Sequence, residues 1–476
     1  MAVASGSSST TPSPQFRKKV LRVLVISLLL DLISFTFILP LFPQLVNFYR
    51  QLETTQSSST TVLARILTGL NAYKQSFARP ITDRYDIVLL GGALGSLFSL
   101  CQAIASPVIG ALSDRYGRRT ALLWSMVGNI ASVALWCAAV DFRTFLASRI
   151  VGGLSEGNVQ LAMAIATDIS SDADRGKTMA LVGACFSVAF TFGPALGAAL
   201  SNVNLVAANP FATAAGVSLV LIVVETLYLW YALPETNILH SAAATATSGE
   251  AANGSAHEKV NGSAAAHASE KATAEQPATL GRTNSHITLN LTHFFFILFF
   301  SGMEFSLTFM TYDLFSYNAR QSGQLLGYIG LIASLLQGSV TRRMKPLFLV
   351  RMGVASAAAA FLLLARLQTT TTLYAAATLL AVTSSSVVTG LNSLSSFEAA
   401  RTHRGAVLGN HRSWGQVGRA AGPLIFCSLY WWAGRQAAYE TGAVGMTAVL
   451  VVVAAALRNP PVGVKEAAKI AEKKEL

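Results

Sequence analysis

Long apolar runs separated by short polar stretches dominate this chain of 476 residues. A helix needs roughly 20 apolar residues to cross a bilayer, so runs of that length predict membrane spans. Six runs precede a polar central stretch and six follow it. They cover about residues 20–43, 87–110, 120–140, 144–168, 178–201, 209–233, 289–312, 324–341, 346–366, 371–393, 405–430 and 437–457. The pattern predicts an all-α membrane protein of twelve transmembrane helices.

The polar stretches divide the chain. Residues 237–286 are rich in Ala, Ser, Thr, Gly, His and Glu and cannot bury a core, so we expect a disordered linker there. It separates an N-terminal half, 20–236, from a C-terminal half, 287–458, and tails are predicted at 1–19 and 459–476.

Two patterns repeat between the halves at identical spacing. The second span's pattern returns in the eighth: Gly92, Gly95, Ser99, Leu100 and Gln102 match Gly327, Gly330, Ser334, Leu335 and Gln337. The fifth span's pattern returns in the eleventh: Arg175, Gly176, Ala180, Ala189, Gly193 and Pro194 match Arg404, Gly405, Gly409, Gly418, Gly422 and Pro423. Duplication of a six-helix unit predicts two pseudo-symmetric halves, with a binding site where they meet.

Charge predicts the orientation. Apolar residues make up 52% of the chain and charged residues 12%, with a net charge of +12. The basic residues form short clusters between apolar runs, without the aromatic interleaving of a nucleic-acid surface. Clusters follow the second, fourth, eighth and tenth spans, which places these loops and both termini in the cytosol. The long loop 47–86, on the opposite side, also carries basic residues.

A ten-residue motif follows the second span. Its defining residues are Gly110, Leu112, Asp114, Arg115, Gly117, Arg118 and Arg119. Gly117 permits a tight reversal, and Asp114 can face a helix N-terminus or a basic partner. The motif resembles the cytoplasmic signature of the major facilitator superfamily. The resemblance implies the two-halved fold of that family and a loop that stabilises one conformation of its transport cycle. It also implies that Asp168 extends the ion-pair network of this loop, with interfacial solvation as the alternative.

Further motifs resemble the drug–proton antiporter branch of this family, and in particular its eukaryotic tetracycline-transporter-like members. They are the spacing of Asp31, Pro40 and Pro43, the pair Arg149 and Gly153, and the glycine series Gly409, Gly418, Gly422 and Pro423. The family usually places that series in the fifth span. Here the fifth span keeps Gly193 and Pro194 but has Ala180 and Ala189, which weakens the usual assignment of proton coupling to it.

Charges at membrane depth mark candidate functional residues, because each needs a partner or a purpose. The acids are Asp31, Glu156, Glu225 and Glu304. Asp31 and Glu304 lie near the middle of the first and seventh spans, where a desolvated carboxyl group could load and release a proton. In the alternative interpretation, each acid pairs with a buried arginine and only fixes helix packing.

The polar partners are Arg149, Arg412, Arg419, Gln102 and Gln337. Arg412 and Arg419 share one helix face, which could bind an anion or neutralise Asp31 or Glu304. The repeat places the two glutamines at equivalent positions in the two halves. This favours side chains that line a cavity over side chains that only form a packing hydrogen bond.

Three functions remain open: a proton-coupled antiporter of small amphiphilic organic compounds, a passive facilitator, and a transporter-like receptor or scaffold. An enzyme is not expected, and without a phosphate-binding loop neither is ATP-driven pumping. We expect no cofactor beyond a proton gradient, no metal site and no nucleic-acid partner.

The expected partners are the lipid bilayer and a small organic substrate, bound by a monomer. Lys473 and Lys474 resemble an endoplasmic-reticulum retrieval signal, and the plasma or vacuolar membrane is the alternative location.

Overall fold

A computed structural model describes residues 13–38, 61–75, 84–171, 174–200, 209–237, 283–317 and 319–460, with residues 41, 44–45, 48–49, 51–52, 203 and 206. Pro40, Pro43 and most of the predicted tails and linker therefore lie outside the described residues.

The regular elements of this described part are helices. The N-terminal half contains α1 (Pro14–Thr36), α2 (Val62–Gln75), α3 (Arg84–Tyr116), α4 (Arg118–Cys137), α5 (Phe142–Ser155), α6 (Asn158–Asp168), α7 (Arg175–Leu200) and α8 (Ala212–Ala232). The C-terminal half contains α9 (His286–Phe315), α10 (Ala319–Ser339), α11 (Pro346–Ala365), α12 (Thr370–Glu398) and α13 (Arg404–Ala456). Short 3-10 turns lie at Thr341–Arg343 and Arg401–His403. Every predicted span overlaps one or two of these helices, and nine of the described helices are long and apolar enough to cross a membrane.

Capping residues fix where several helices begin. Ser13 accepts a hydrogen bond from the Phe16 N–H, with Pro14 in the first turn of α1. At α5, the Asp141 carboxylate accepts from the Thr144 N–H at 2.9 Å, and these interactions lower the pKa of Asp141. Such side chains satisfy N–H groups that have no partner within the helix. They therefore place the helix starts in the short polar stretches between apolar runs.

The fourth predicted span is broken at membrane depth. It consists of α5 and α6, with Glu156 and Gly157 between them. The Ser125 hydroxyl accepts from the Gly157 N–H at 2.8 Å and donates to the Ser155 carbonyl. Non-helical backbone is tolerated at this depth only where protein groups satisfy it, so α4 supports the break through Ser125.

Three other boundaries differ from the prediction. The eleventh and twelfth spans are joined within α13 at Gly434, whose φ of 88° favours glycine. The loop predicted at 47–86 contains α2 and the first turn of α3. α1 begins at Pro14, inside the predicted N-terminal tail, because Ser13 and Pro14 provide a helix start ahead of the apolar run.

Each half has its own hydrophobic core. One core runs from Val20 to Leu233 and the other from Leu289 to Leu457. Because each core lies within one half, the halves are separate packing units, and a small cluster of Leu89, Cys427 and Trp431 connects them.

Small residues form the interface between the halves. α3 packs against α13, and α7 packs against α10 and α12. A Cβ atom on Gly110 would overlap the backbone of Gly405, and one on Gly409 would overlap the Ser106 carbonyl. The backbones of α3 and α13 can therefore approach closely at the end of the bundle that carries the Gly110–Arg119 motif, which we call the motif end.

Candidate functional site

Three buried carboxyl groups form a cluster in the N-terminal half. Asp31 on α1, Glu156 at the break and Glu225 on α8 are each at most 9% exposed and interact electrostatically with one another. Ser27 donates a 2.6 Å hydrogen bond to Glu225 Oε1. Within the described residues, Asp31 Oδ2 and Glu225 Oε2 have no hydrogen-bond partner. Three close acids with unpartnered oxygens are costly to keep ionised together, and this favours proton binding.

A small cavity of about 40 Å³ opens between Asp31 and Glu156. It is also lined by Arg149, whose guanidinium carbon lies 5.5 Å from the Phe145 ring centroid and 5.9 Å from that of Trp136. The volume accommodates water but not an organic substrate. The cavity therefore provides a place where water could reach the carboxyl groups.

Arg412 brings charge from the other half toward this cluster. It lies on α13 and interacts electrostatically with both Asp31 and Glu156. Two roles were predicted for Arg412: binding an anion, and neutralising Asp31 or Glu304. Its position allows it to neutralise Asp31 directly. The helix break matters here, because it places Glu156 beside Asp31 and within reach of Arg412.

The ion pair between Arg419 and Glu304 differs from the acid cluster in its exposure. Arg419 Nη1 lies 3.4 Å from Glu304 Oε2, and their side chains are 44% and 47% exposed. Glu304 is thus far more exposed than Asp31, and its carboxylate lies beside Arg419. Arg419 is two helical turns from Arg412 and shares its face, which is directed toward the N-terminal half. The pair therefore joins α9 to α13 through side chains that are only partly covered by protein.

The two glutamines have unequal environments despite their symmetry in sequence. Gln337 on α10 accepts from the Ser187 hydroxyl of α7 and donates to the Ser385 carbonyl of α12 at 3.2 Å. Its amide therefore holds the two halves together, and the preference for a cavity position was wrong for this residue. Gln102 is buried on α3.

At the motif end, Asp114 joins the halves. Its two carboxylate oxygens accept from the N–H groups of Gly405 and Ala406, both at 2.8 Å, at the start of α13. Its other partner is Arg118, at 2.7 Å. A carboxylate at a helix N-terminus interacts favourably with the helix dipole and with N–H groups that lack helical partners.

Asp168 connects this contact to a second arginine. Arg118 Nε lies 2.9 Å from Asp168 Oδ2, and Arg404 Nη1 lies 2.6 Å from Asp168 Oδ1. These side chains are all nearly buried. The network Asp114–Arg118–Asp168–Arg404 therefore closes the bundle at this end.

Gly117, Arg119 and Arg115 complete the motif. Gly117 has φ 96°, and a Cβ atom there would strike the Glu235 carboxylate. Glu235 accepts from the backbone N–H groups of Arg118 and Arg119 at 2.9 and 3.1 Å. The exposed Arg115 lies over the Tyr116 ring. The reversal at Gly117 thus positions the start of α4.

The glycine and proline residues of the fifth and eleventh spans lie at close helix contacts. A Cβ atom on Gly193 would overlap Thr36 of α1, next to Pro194. Gly418 and Gly422, followed by Pro423, bring α13 against α9. α13 therefore packs tightly on both α3 and α9.

At the opposite end of the bundle, α2 contacts the C-terminal half. The Tyr73 hydroxyl forms hydrogen bonds with the Ser428 hydroxyl and the Leu424 carbonyl of α13. Its ring centroid lies 6.3 Å from that of Trp431. Sequence reasoning missed this contact because 47–86 was read as a loop.

Sequence reasoning also missed Arg404 and Glu235 as functional residues. The sequence did contain a signal for Arg404, because the repeat aligns it with Arg175. In the structure, each of these arginines contacts a residue of the other half. Arg175 Nη1 donates to the Ser396 carbonyl at 3.4 Å.

Comparison with known proteins agrees with this architecture. The family model described as Major Facilitator Superfamily matches residues 24–423. The chain belongs to the major facilitator superfamily. It is therefore a multi-pass membrane transporter and not an enzyme.

Relatives within the superfamily match either most of the chain or a part of it. A Bos taurus protein named major facilitator superfamily domain-containing protein 10 is 34% identical, covering 90% of this chain and 92% of its own length. The class C tetracycline resistance protein of Escherichia coli is 36% identical over 29% of this chain and 34% of its own. The crystal structure of the human organic anion transporter MFSD10 (TETRAN) matches with a TM-score of 0.78 at 30% identity, covering 93% of this chain and all of that one. The predicted fold and family are thus confirmed.

Proposed function

We propose that this superfamily member is a proton-coupled antiporter of small amphiphilic organic compounds that works by alternating access. The observation that carries the proposal is the buried cluster of Asp31, Glu156 and Glu225, which faces Arg412 of the other half. Burial favours neutral carboxyl groups, whereas Arg412 favours ionised ones. A rearrangement that changes the distance to Arg412 therefore changes how readily the cluster binds a proton.

The proton site and the substrate site are separate in this proposal. The cavity beside Asp31 is too small for an organic compound, whereas the side chains of Glu304 and Arg419 are 47% and 44% exposed. Arg419 can exchange its exposed carboxylate partner for an anionic group on a substrate at little cost, because such pairs contribute less than about 1 kcal/mol. Organic anions are therefore the first substrates to test, and the name of the human relative supports this choice.

The contacts at the two ends support alternating access. The ion pairs around Asp168 connect the halves at the motif end, and the Tyr73 contact connects them at the other. Each must separate when its end opens. We propose that the motif end is cytosolic, with both termini on that side, that the chain acts as a monomer, and that the C-terminal lysines direct it to the endoplasmic reticulum.

A passive facilitator is the second candidate. It is favoured by Arg412, which could simply neutralise Asp31 and Glu156 and keep the halves together. In that case no carboxyl group would exchange a proton during transport.

Reconstituted protein distinguishes the two candidates. Liposomes with an imposed pH gradient are supplied with labelled organic anions and cations, using wild type, Asp31→Asn and the control Asp141→Asn. Asp141 lies outside the cluster, and asparagine keeps its capping role. Antiport predicts accumulation against the substrate gradient in wild type and the control, and its loss in Asp31→Asn. Equal equilibration in all three, without response to pH, would reject antiport and leave the facilitator.

A further inference from the structure

A groove between α1 and α8, at the motif end of the N-terminal half, is lined by basic side chains. It lies outside the acid cluster and has a volume of about 450 Å³. We call it the basic groove, and its lining residues are Gln15, Lys18, Lys19, Arg22, Val23, Tyr228 and Ala232. Arg22 follows Lys18 and Lys19 by one helical turn, so the three side chains share one face of α1. Three cationic groups therefore lie beside one aromatic ring.

The three cations of the basic groove lack an acidic partner among the residues that the structure describes. Their neighbour Arg17 is different, because its guanidinium binds the Asp174 carboxylate at 2.6 Å. Lys177 lies 3.3 Å from the same carboxylate, which is therefore already shared. The side chains of the basic groove are exposed. An anion that enters the groove would meet positive charge that no protein acid offsets.

An apolar stripe on α8 places the basic groove at the membrane surface. Its exposed residues recur every three or four positions: Val217, Val220, Val224, Leu227 and Tyr231. Tyr231 and the adjacent Trp230 are 91% and 63% exposed at the end of the helix. Such aromatic residues mark the level where acyl chains meet lipid headgroups. Tyr228 and Ala232 belong to the same turn, so the groove lies at headgroup level.

We propose that the basic groove binds the headgroup of one anionic phospholipid. The lipid phosphate would lie among Lys18, Lys19 and Arg22, and an acyl chain would follow the exposed Ile26, one turn further along α1. A volume of this size accommodates a small organic group. A soluble anion would use the cations but not the apolar surface that continues from them. The proposed orientation of the chain makes this a lipid of the cytosolic leaflet.

Native mass spectrometry of the full-length protein tests this site. Protein in detergent is mixed with equal amounts of phosphatidylserine and phosphatidylcholine that carry the same acyl chains. Wild type should hold one phosphatidylserine molecule at least about tenfold more tightly than phosphatidylcholine, because each basic residue adds to the attraction of an anionic lipid. A wild type that binds the two lipids equally would overturn the proposal.

A triple variant removes the charge of the groove. Lys18→Gln, Lys19→Gln and Arg22→Gln together should abolish the preference for phosphatidylserine. Since the three side chains are exposed, the variant should keep the wild-type melting temperature. An unchanged preference would exclude these residues as the binding site.

The matched control removes three exposed basic residues from another part of the motif end. Arg342→Gln, Arg343→Gln and Lys345→Gln change the connection between α10 and α11. This variant should keep the wild-type preference. Equal losses in the two triple variants would show a general attraction to positive charge, and no site in the groove.

Ala232→Phe tests the shape of the groove without changing its charge. The larger side chain would fill space beside Tyr228 and should lower phosphatidylserine binding by at least about fivefold. Unchanged binding would place the lipid outside the groove. Displacement of the lipid by millimolar inorganic phosphate would show that the site takes a soluble anion instead. The assay contains no transported substrate, so its outcome is independent of the proposed antiport.

Discussion

Arg404 reaches across the interface to Asp168, with 2.6 Å between Nη1 and Oδ1. Asp168 lies at the end of α6 in one half, and Arg404 begins α13 in the other. The same carboxylate binds Arg118 through its second oxygen. One carboxyl group therefore joins the motif after α3 to the helix that carries Arg412 and Arg419.

Asp168→Asn should open the motif end. The change leaves two buried arginines short of a partner, and breaking a buried ion pair typically costs about 3 kcal/mol. Part of that cost disappears if the halves separate and water reaches the arginines. Spin labels on the exposed Thr120 and His403, in a background without the four cysteines, should report a longer distance between the halves.

The control for that variant is Asp174→Asn. Asp174 lies near the same end but pairs with Arg17 at 2.6 Å inside the N-terminal half, and this hydrogen bond lowers the pKa of its carboxyl group. The control therefore removes an ionised acid without touching the interface. An equal change of distance in both variants would show that the effect is not specific to the Asp168 network.

Gly110→Ala should also destabilise the closed motif end. A Cβ atom there would meet the Gly405 backbone, which cannot move aside as a flexible side chain could. Overpacking of this kind costs about 1–3 kcal/mol. Gly95→Ala on the same helix is the matched control, because nothing lies within 4 Å of its Cβ position. We expect the spin-label distance to lengthen only in Gly110→Ala, and the reverse order would contradict the observed helix contact.

The twelve spans could be predicted from sequence because the length of an apolar run is set by bilayer thickness. The break at Glu156 could not be predicted, because the apolar residues around Gly157 are typical of a continuous helix. The break depends on Ser125 of another helix, α4, which accepts a hydrogen bond from the Gly157 N–H. Because the break brings Glu156 close to Asp31, the geometry of the acid cluster could not be predicted from the sequence either.

Side-chain environments were harder to predict than helix positions. Asp31 and Glu304 lie near the middle of the corresponding first and seventh spans, yet Asp31 is buried and Glu304 is about half exposed beside Arg419. His293 and His411, whose rings stack on each other, are 118 residues apart, and no local sequence pattern pairs them. These side-chain environments depend on contacts between helices that are distant in sequence, and the pattern of apolar residues does not predict such contacts.

Charge substitutions at the open pair should change substrate affinity more than stability. Glu304→Gln should lower KM for a transported organic anion by roughly threefold to tenfold, because the substrate no longer competes with the Glu304 carboxylate for Arg419. Arg419→Ala should raise KM. Melting temperatures should change little, since the pair is exposed. Glu440→Gln, an acid that binds Gln436 of its own helix, is the control. Parallel changes of KM in the two pair variants would exclude direct anion binding by Arg419.

Tyr73→Phe should favour opening at the other end of the bundle. The change removes hydrogen bonds to Ser428 and Leu424 but keeps the ring beside Trp431, and one such bond contributes about 1 kcal/mol. The open population at that end should then rise by roughly fivefold. Spin labels on the exposed Asn71 and Ala433 measure it.

Thr68→Val is the control for Tyr73→Phe, because the Thr68 hydroxyl donates to the Ala64 carbonyl of the same helix and makes no other hydrogen bond to the described residues. Opening at one end and closure at the other are linked in alternating access, so Tyr73→Phe should also shorten the average distance between labels at Thr120 and His403. If the α2 end opens while the motif end stays unchanged, the two contacts act independently, and α2 only covers the bundle.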